Sequence, residues 1–63
     1  MDIQDYIKTL RIESDYALCN AEYCNSVHSR TSGNVSYAYY CAYESWHELL
    51  DTLRAECFRI ATR

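Results

Sequence analysis

Apolar and small residues in the first half of the chain recur by fours and threes without a break. Ile3, Ile7, Leu10, Ser14, Ala17, Ala21, Cys24 and His28 fall on one line of a 3.6-residue helix. Tyr6, Leu18 and Val27 flank that line, while Lys8, Arg11, Glu13, Asp15 and Glu22 mostly lie off it. Asp2 has the short acceptor side chain of an N-cap. Asp5 sits in the first turn, where the helix dipole favours an anion, and Arg30 stands near the other end, where it favours a cation. The pattern predicts a helix over about residues 2–29.

The second half opens on two competing periods. Val35, Tyr37, Tyr39, Cys41 and Tyr43 alternate with Ser36, Ala38, Tyr40, Ala42 and Glu44, the period-two signature of a strand rich in aromatic residues. Three observations favour a helix instead. A strand needs a partner and the first half offers none. Ala38 and Ala42 prefer helix. Beyond Tyr43, the residues Trp46, Leu49, Leu50, Leu53, Cys57 and Ile60 step by threes and fours. Read backward, the same line passes through Tyr43, Ala42, Tyr39 and Val35. The expected helix covers about residues 35–61, with Arg54, Arg59 and Arg63 near its favoured end.

One turn separates the two arms. Glycine occurs once, at Gly33, and proline never. Thr31-Ser32-Gly33-Asn34 is the only turn signal: Gly33 can adopt a positive φ past a helix end, and Ser32 or Asn34 can cap the next helix. Two arms of roughly 40 Å, at 1.5 Å per residue, joined by so short a link must lie antiparallel. Residue i then lies near roughly residue 65 − i around the turn. Ile7 is expected near Phe58, Leu10 near Ala55, Ala17 near Glu48, and Cys24 opposite Cys41. The small residues Ser14, Ala17 and Ala21 would receive Tyr43, Trp46 and Leu50. The fold class is all-α, a single helical-hairpin domain over residues 1–63. Trp46, Leu49, Leu50, Leu53, Phe58 and the tyrosine row form a face wider than one helix covers. A homodimeric four-helix bundle is therefore expected, with a larger oligomer or a second protein completing the bundle as the lesser possibility.

Size and charge narrow the function. Sixty-three residues, 49% of them hydrophobic and 24% charged, make one small ordered domain, of a size that usually needs disulfides, a metal or a second copy of the chain as a staple. The net charge of −3 disfavours a nucleic-acid partner. Acidic residues dominate from Glu13 to Asp51, where Arg30 is the sole cation, and arginines dominate the tail. This places an acidic band mid-hairpin, ordinarily a solvated face. No stretch reaches the roughly 18 apolar residues of a membrane span, and the amphipathic start MDIQDYIK is not a signal peptide. A cytoplasmic location follows, in which Cys19, Cys24, Cys41 and Cys57 would stay reduced.

The candidate chemistry is thin. Cys24, His28 and Cys41 could begin a zinc site if a fourth ligand came from elsewhere, but their spacing matches no finger or ribbon, and buried cysteine commonly serves as a small hydrophobe. A Cys24–Cys41 disulfide is disfavoured because packed helix axes sit about 8–10 Å apart. Cys19 and Cys57 read as core or edge residues. The string HELLD, His47 to Asp51, lacks the second histidine of a zinc-protease helix. With one glycine there is no phosphate loop, and no nucleophile has a base placed by a motif. No catalytic, cofactor or metal residues are assigned, and the chain is read as non-enzymatic. Tyr37, Tyr39, Tyr40 and Tyr43 could stack bases, yet no lysine or arginine lies between Gly33 and Leu53 to hold phosphates. The best candidate is a partner-binding surface of Tyr40, Glu44, His47, Glu48 and Asp51, aromatic and acidic residues suited to a protein contact.

From MDIQDYIKTLRIES to LDTLRAECFRIATR, the chain reads as a complete small open reading frame and resembles the small early-region proteins of lambda-like bacteriophages. The resemblance covers the whole length without a diagnostic motif and carries over no site residues. It implies a protein of the host cytoplasm that tunes host physiology or the balance between lysis and lysogeny by binding a host or phage protein. Two alternatives stand beside it: a nucleic-acid regulator using Arg54, Arg59 and Arg63, and a zinc-stapled interaction module built on Cys24, His28 and Cys41.

Overall fold

The computed structural model describes residues 2–62. Two helices account for almost all of them: α1, Ile3–Ser29, and α2, Gly33–Ala61. They pack side by side into a rod of 46 × 15 × 14 Å. No strand occurs among the described residues, so the alternation from Val35 to Tyr43 belongs to helix α2. The alanines and the downstream apolar period outweigh the local β preference of the tyrosines, as tertiary packing commonly does.

Helix α2 begins two residues before the expected Val35, at Gly33, whose φ of +67° is the only positive φ among the described residues. A glycine there lets the chain reverse without the penalty a Cβ incurs in left-handed backbone. The expected caps are present by position but not by chemistry. Asp2 and Ser32 have the extended backbone of N-cap residues, and neither side chain caps its helix. Hydroxyls close the other side of the turn. The Ser29 Oγ donates to the Asn25 carbonyl at 2.9 Å, the Thr31 Oγ1 to Val27 at 2.7 Å, and the Ser36 Oγ reaches back from α2 to His28 at 3.0 Å. Of these acceptors, the His28 carbonyl lies in the last turn of α1, where helices leave carbonyls without intrahelical partners. The same serine meets the His28 ring at its Nδ1. This nitrogen lies 3.0 Å from the Ser36 carbonyl oxygen and 2.8 Å from the Ser36 Oγ. His28 and Ser36 thus stitch the two helices together beside the turn.

The antiparallel register runs close to the expected one. His28 meets Ser36, and Tyr23 meets Tyr39 edge-on at 6.4 Å. Tyr16 meets Trp46 edge-on at 5.8 Å, and the Tyr6 hydroxyl reaches Glu56 at 3.5 Å. Position along the rod does not decide which way a side chain points, and several expected oppositions fail on that account. Ala55, Glu48 and Cys41, expected against Leu10, Ala17 and Cys24, are exposed and face outward, and the observed pairs sit about three residues off the expected register. Phe58, expected against Ile7, is 70% exposed.

Burial is lopsided. On α1, Leu10, Ser14, Ala17, Ala21, Cys24 and Val27 are buried, whereas on α2 only Leu50 and Ile60 are. The cause is size. Small side chains on α1 vanish beneath the partner helix, Ala17 completely, and the large ones on α2 reach past the contact and remain partly wet. Leu50, 1% exposed, is the largest side chain to be fully enclosed. Ser14 satisfies its buried hydroxyl by donating to the Leu10 carbonyl at 2.7 Å.

Candidate functional site

The five residues of the expected partner-binding surface all stand on α2 and are all exposed. Tyr40, Glu44, His47 and Asp51 step by four, three and four, so one face of the helix presents them in a row, with Glu48 beside His47. Local contacts order the row. His47 Nδ1 lies 3.3 Å from Asp51 Oδ2, and the Tyr43 ring packs at 5.7 Å on the His47 imidazole. The Tyr40 ring packs against His28 at 5.2 Å, which ties the turn end of the row to α1.

Charge shapes the row further. The Glu44 carboxylate, one turn from Tyr40, accepts from its hydroxyl and repels its anion, holding the phenol above its usual pKa. The Cys41 sulfur acts similarly on Tyr37, first through a hydrogen bond and then through charge, with Glu44 contributing least. Both shifts favour the neutral phenol, which can donate a hydrogen bond. The row offers hydroxyl donors, carboxylate acceptors and an imidazole around a shallow, open depression lined by Glu44, His47, Glu48 and Asp51. Because its walls come from a single helix, the depression encloses little, and it suits contact with another macromolecular surface better than a small molecule.

The two other groupings seen in the sequence are not assembled. Among the described residues, no three His, Cys, Asp or Glu side chains come together as a metal site. Cys24 is buried between the helices, Cys41 faces solvent, and the His28 Nδ1 is occupied by Ser36, so the three proposed zinc ligands diverge. All four cysteines are free, and Cys19, expected in the core or at its edge, is exposed. Of the tail arginines, Arg63 lies outside the described residues. Arg59 is bound by Glu56 through two hydrogen bonds, at 2.9 and 2.6 Å, and this carboxylate raises its pKa. Arg54, five residues away, points to the other side of the rod, into a groove with Arg11, Asp15 and Phe58. The tail therefore presents no continuous basic stripe among the described residues.

With that geometry in hand, comparison adds no relative: no family model, no curated protein and no solved structure matches the chain. No helix among the described residues is long and apolar enough to cross a membrane.

The sequence did not reveal the His28–Ser36 stitch. Its signal is present in hindsight: hydroxyl residues at 29, 31 and 36 bracket the single glycine, where side-chain oxygens can take over helix-end carbonyls.

Proposed function

We propose that this protein is a non-enzymatic regulator that acts by protein–protein interaction as a homodimeric four-helix bundle. The observation that carries this is the surface of the lone hairpin. A compact monomer of 7.4 kDa exposes about 4,200 Å². This chain exposes 4,728 Å², the excess of a rod one helix pair thick, and leaves Tyr16, Tyr23, Tyr37, Leu49 and Phe58 on it. A standard interface removes about 800 Å² from each partner, enough to bring the chain below the monomer expectation.

The outward row of Tyr40, Glu44, His47, Glu48 and Asp51 is the contact for a second protein. Aromatic rings supply the anchor and the carboxylates supply orientation toward a basic surface. The resemblance to early-region proteins of lambda-like bacteriophages supplies the setting: the host cytoplasm, a host or phage protein as target, and modulation of host physiology or of the lysis–lysogeny balance as the outcome.

Sedimentation equilibrium tests the assembly, with twice the 7.4 kDa chain mass expected. Quantitative capture of a partner by the tagged chain tests the surface. Replacing Tyr40→Ala together with Glu44→Ala should reduce capture at least about 10-fold with helicity unchanged; undiminished capture removes the row from consideration.

A further inference from the structure

The two long sides of the rod differ in chemistry. Tyr6, Thr9, Glu13, Tyr16, Asn20 and Tyr23 step by threes and fours along one edge of α1. Val35, Ala38, Ala42, Ser45, Leu49 and Thr52 do the same along one edge of α2. Contacts place the two edges on one side: Tyr6 bonds Glu56, and Tyr6, Thr52 and Arg59 line a common groove. The opposite side groups Arg11 and Asp15 with Arg54 and Phe58, and it continues along α2 through Asp51, His47, Glu44 and Tyr40. That side is densely charged. The first carries Asp2 at its tip and Glu13, Glu56 and Arg59 along its length, of which the last two pair with each other.

We infer that the second copy of this chain docks on the side bearing Tyr6, Tyr16, Tyr23 and Leu49, which leaves the Tyr40–Asp51 row free on the far side. The inference rests on the homodimer proposed above and deepens it. Three features carry it. First, area: one side of the rod measures 46 by 15 Å, a footprint of about 700 Å², close to the roughly 800 Å² of accessible surface a stable interface takes from each partner. Second, charge: burying this side desolvates few ions, whereas burying the other desolvates many. Third, shape: the α1 edge carries rings and the α2 edge carries Ala38, Ala42 and Ser45, so ridge and trough already sit on one surface.

A two-fold axis along the bundle brings the α1 edge of each copy onto the α2 edge of the other and keeps every residue at its own height. Tyr23, level with Tyr39, then enters the trough at Ala38 and Ala42 of the partner, and Tyr16, level with Trp46, meets the partner's Ser45. Both rings are held edge-on by α2 of their own chain before docking, so little rotamer freedom remains to be lost. Tyr16 and Tyr23 are 60% and 58% exposed in the lone hairpin, which is the surface the twin removes.

The decisive measurement mixes carbon-13-labelled and unlabelled chains and records NOEs that pass only between copies. Cross-peaks from the Tyr23 ring to the Ala38 and Ala42 methyls are expected. In parallel, Tyr16→Glu with Leu49→Glu should raise the dimer dissociation constant at least about 100-fold, while Phe58→Glu on the opposite side leaves it unchanged. Should the double variant lose its helical circular dichroism, the NOEs of the unaltered chain decide alone. A dimer whose intermolecular NOEs map to Phe58 or Tyr37, or a folded double variant that still dimerises, overturns the assignment of the side and leaves the dimer standing. A wild-type mass of one chain at millimolar concentration overturns the dimer itself.

Discussion

Leu50→Ala is the substitution on which the packing account of this hairpin is most exposed. Leu50 is 1% exposed, and the register set by Tyr16–Trp46 and Tyr6–Glu56 brings it level with the stretch of α1 that buries Leu10 and Ser14. Truncation of so enclosed a side chain leaves a cavity, which places the cost in the usual range of about 2–5 kcal/mol for Leu→Ala in a core. A chain of 63 residues has a total stability of only about 3–9 kcal/mol at the ordinary density per residue. The variant should lose between about a fifth and all of its stability, a fall in Tm of about 10 °C or more for a domain of this size. Phe58→Ala deletes a larger side chain that is 70% exposed, and it should cost under about 1 kcal/mol. Urea melts followed at 222 nm, at one fixed protein concentration because association adds to apparent stability, give both values. If the two variants melt alike, Leu50 is not the keystone and the size-based explanation of the lopsided burial is wrong.

Three further outcomes follow from the turn and from the α2 row. Gly33→Ala meets no atom within 4 Å, so its cost is that of placing a Cβ at a φ of +67°, about 1–2 kcal/mol in the same urea melt. Ser36→Ala removes the donor to the His28 carbonyl and should cost about 1 kcal/mol, with amide exchange quickening first at residues 28–31. Tyr40→Phe should delete a component from the absorbance titration at 295 nm that ionises above the ordinary tyrosine value of about 10. The sign is that of a raised folded pKa: the Tyr40–Glu44 contribution is complete below the unfolded pKa and is lost as pH rises through the folded one. The difference in stability between wild type and Tyr40→Phe should therefore shrink above about pH 10.

The two rods and their turn are legible in the sequence because three independent signals coincide: the α1 period from Ile3 to His28, the α2 period from Val35 to Ile60, and a single glycine between them. The axial register is legible too, since a short turn leaves little slack. The direction in which each side chain points is harder to read. Counting back from the turn places Cys41 against Cys24 and Glu48 against Ala17, but height along a helix and angle around it are separate coordinates. Only the heptad positions, not the count, show that Cys41 and Glu48 lie on the outer surface. For the candidate site, the exposure and common face of Tyr40, Glu44, His47 and Asp51 follow from spacing alone. The contacts of Tyr43 with His47 and of Tyr40 with His28 depend on rotamers, which no one-dimensional pattern encodes.

The stitch between His28 and Ser36 also orders the assembly of the hairpin in time. It joins groups eight residues apart, whereas Tyr6 and Glu56 are separated by 50. Closing the wider loop directly from an open chain costs about 1.6 kcal/mol more, from the logarithmic growth of loop entropy. Association of the arms should thus start beside Gly33 and travel toward the chain ends, and dissociation should retrace that path. The molecule behaves as a zip fastener whose slider begins at the bend, with its two free tips the last to meet and the first to part.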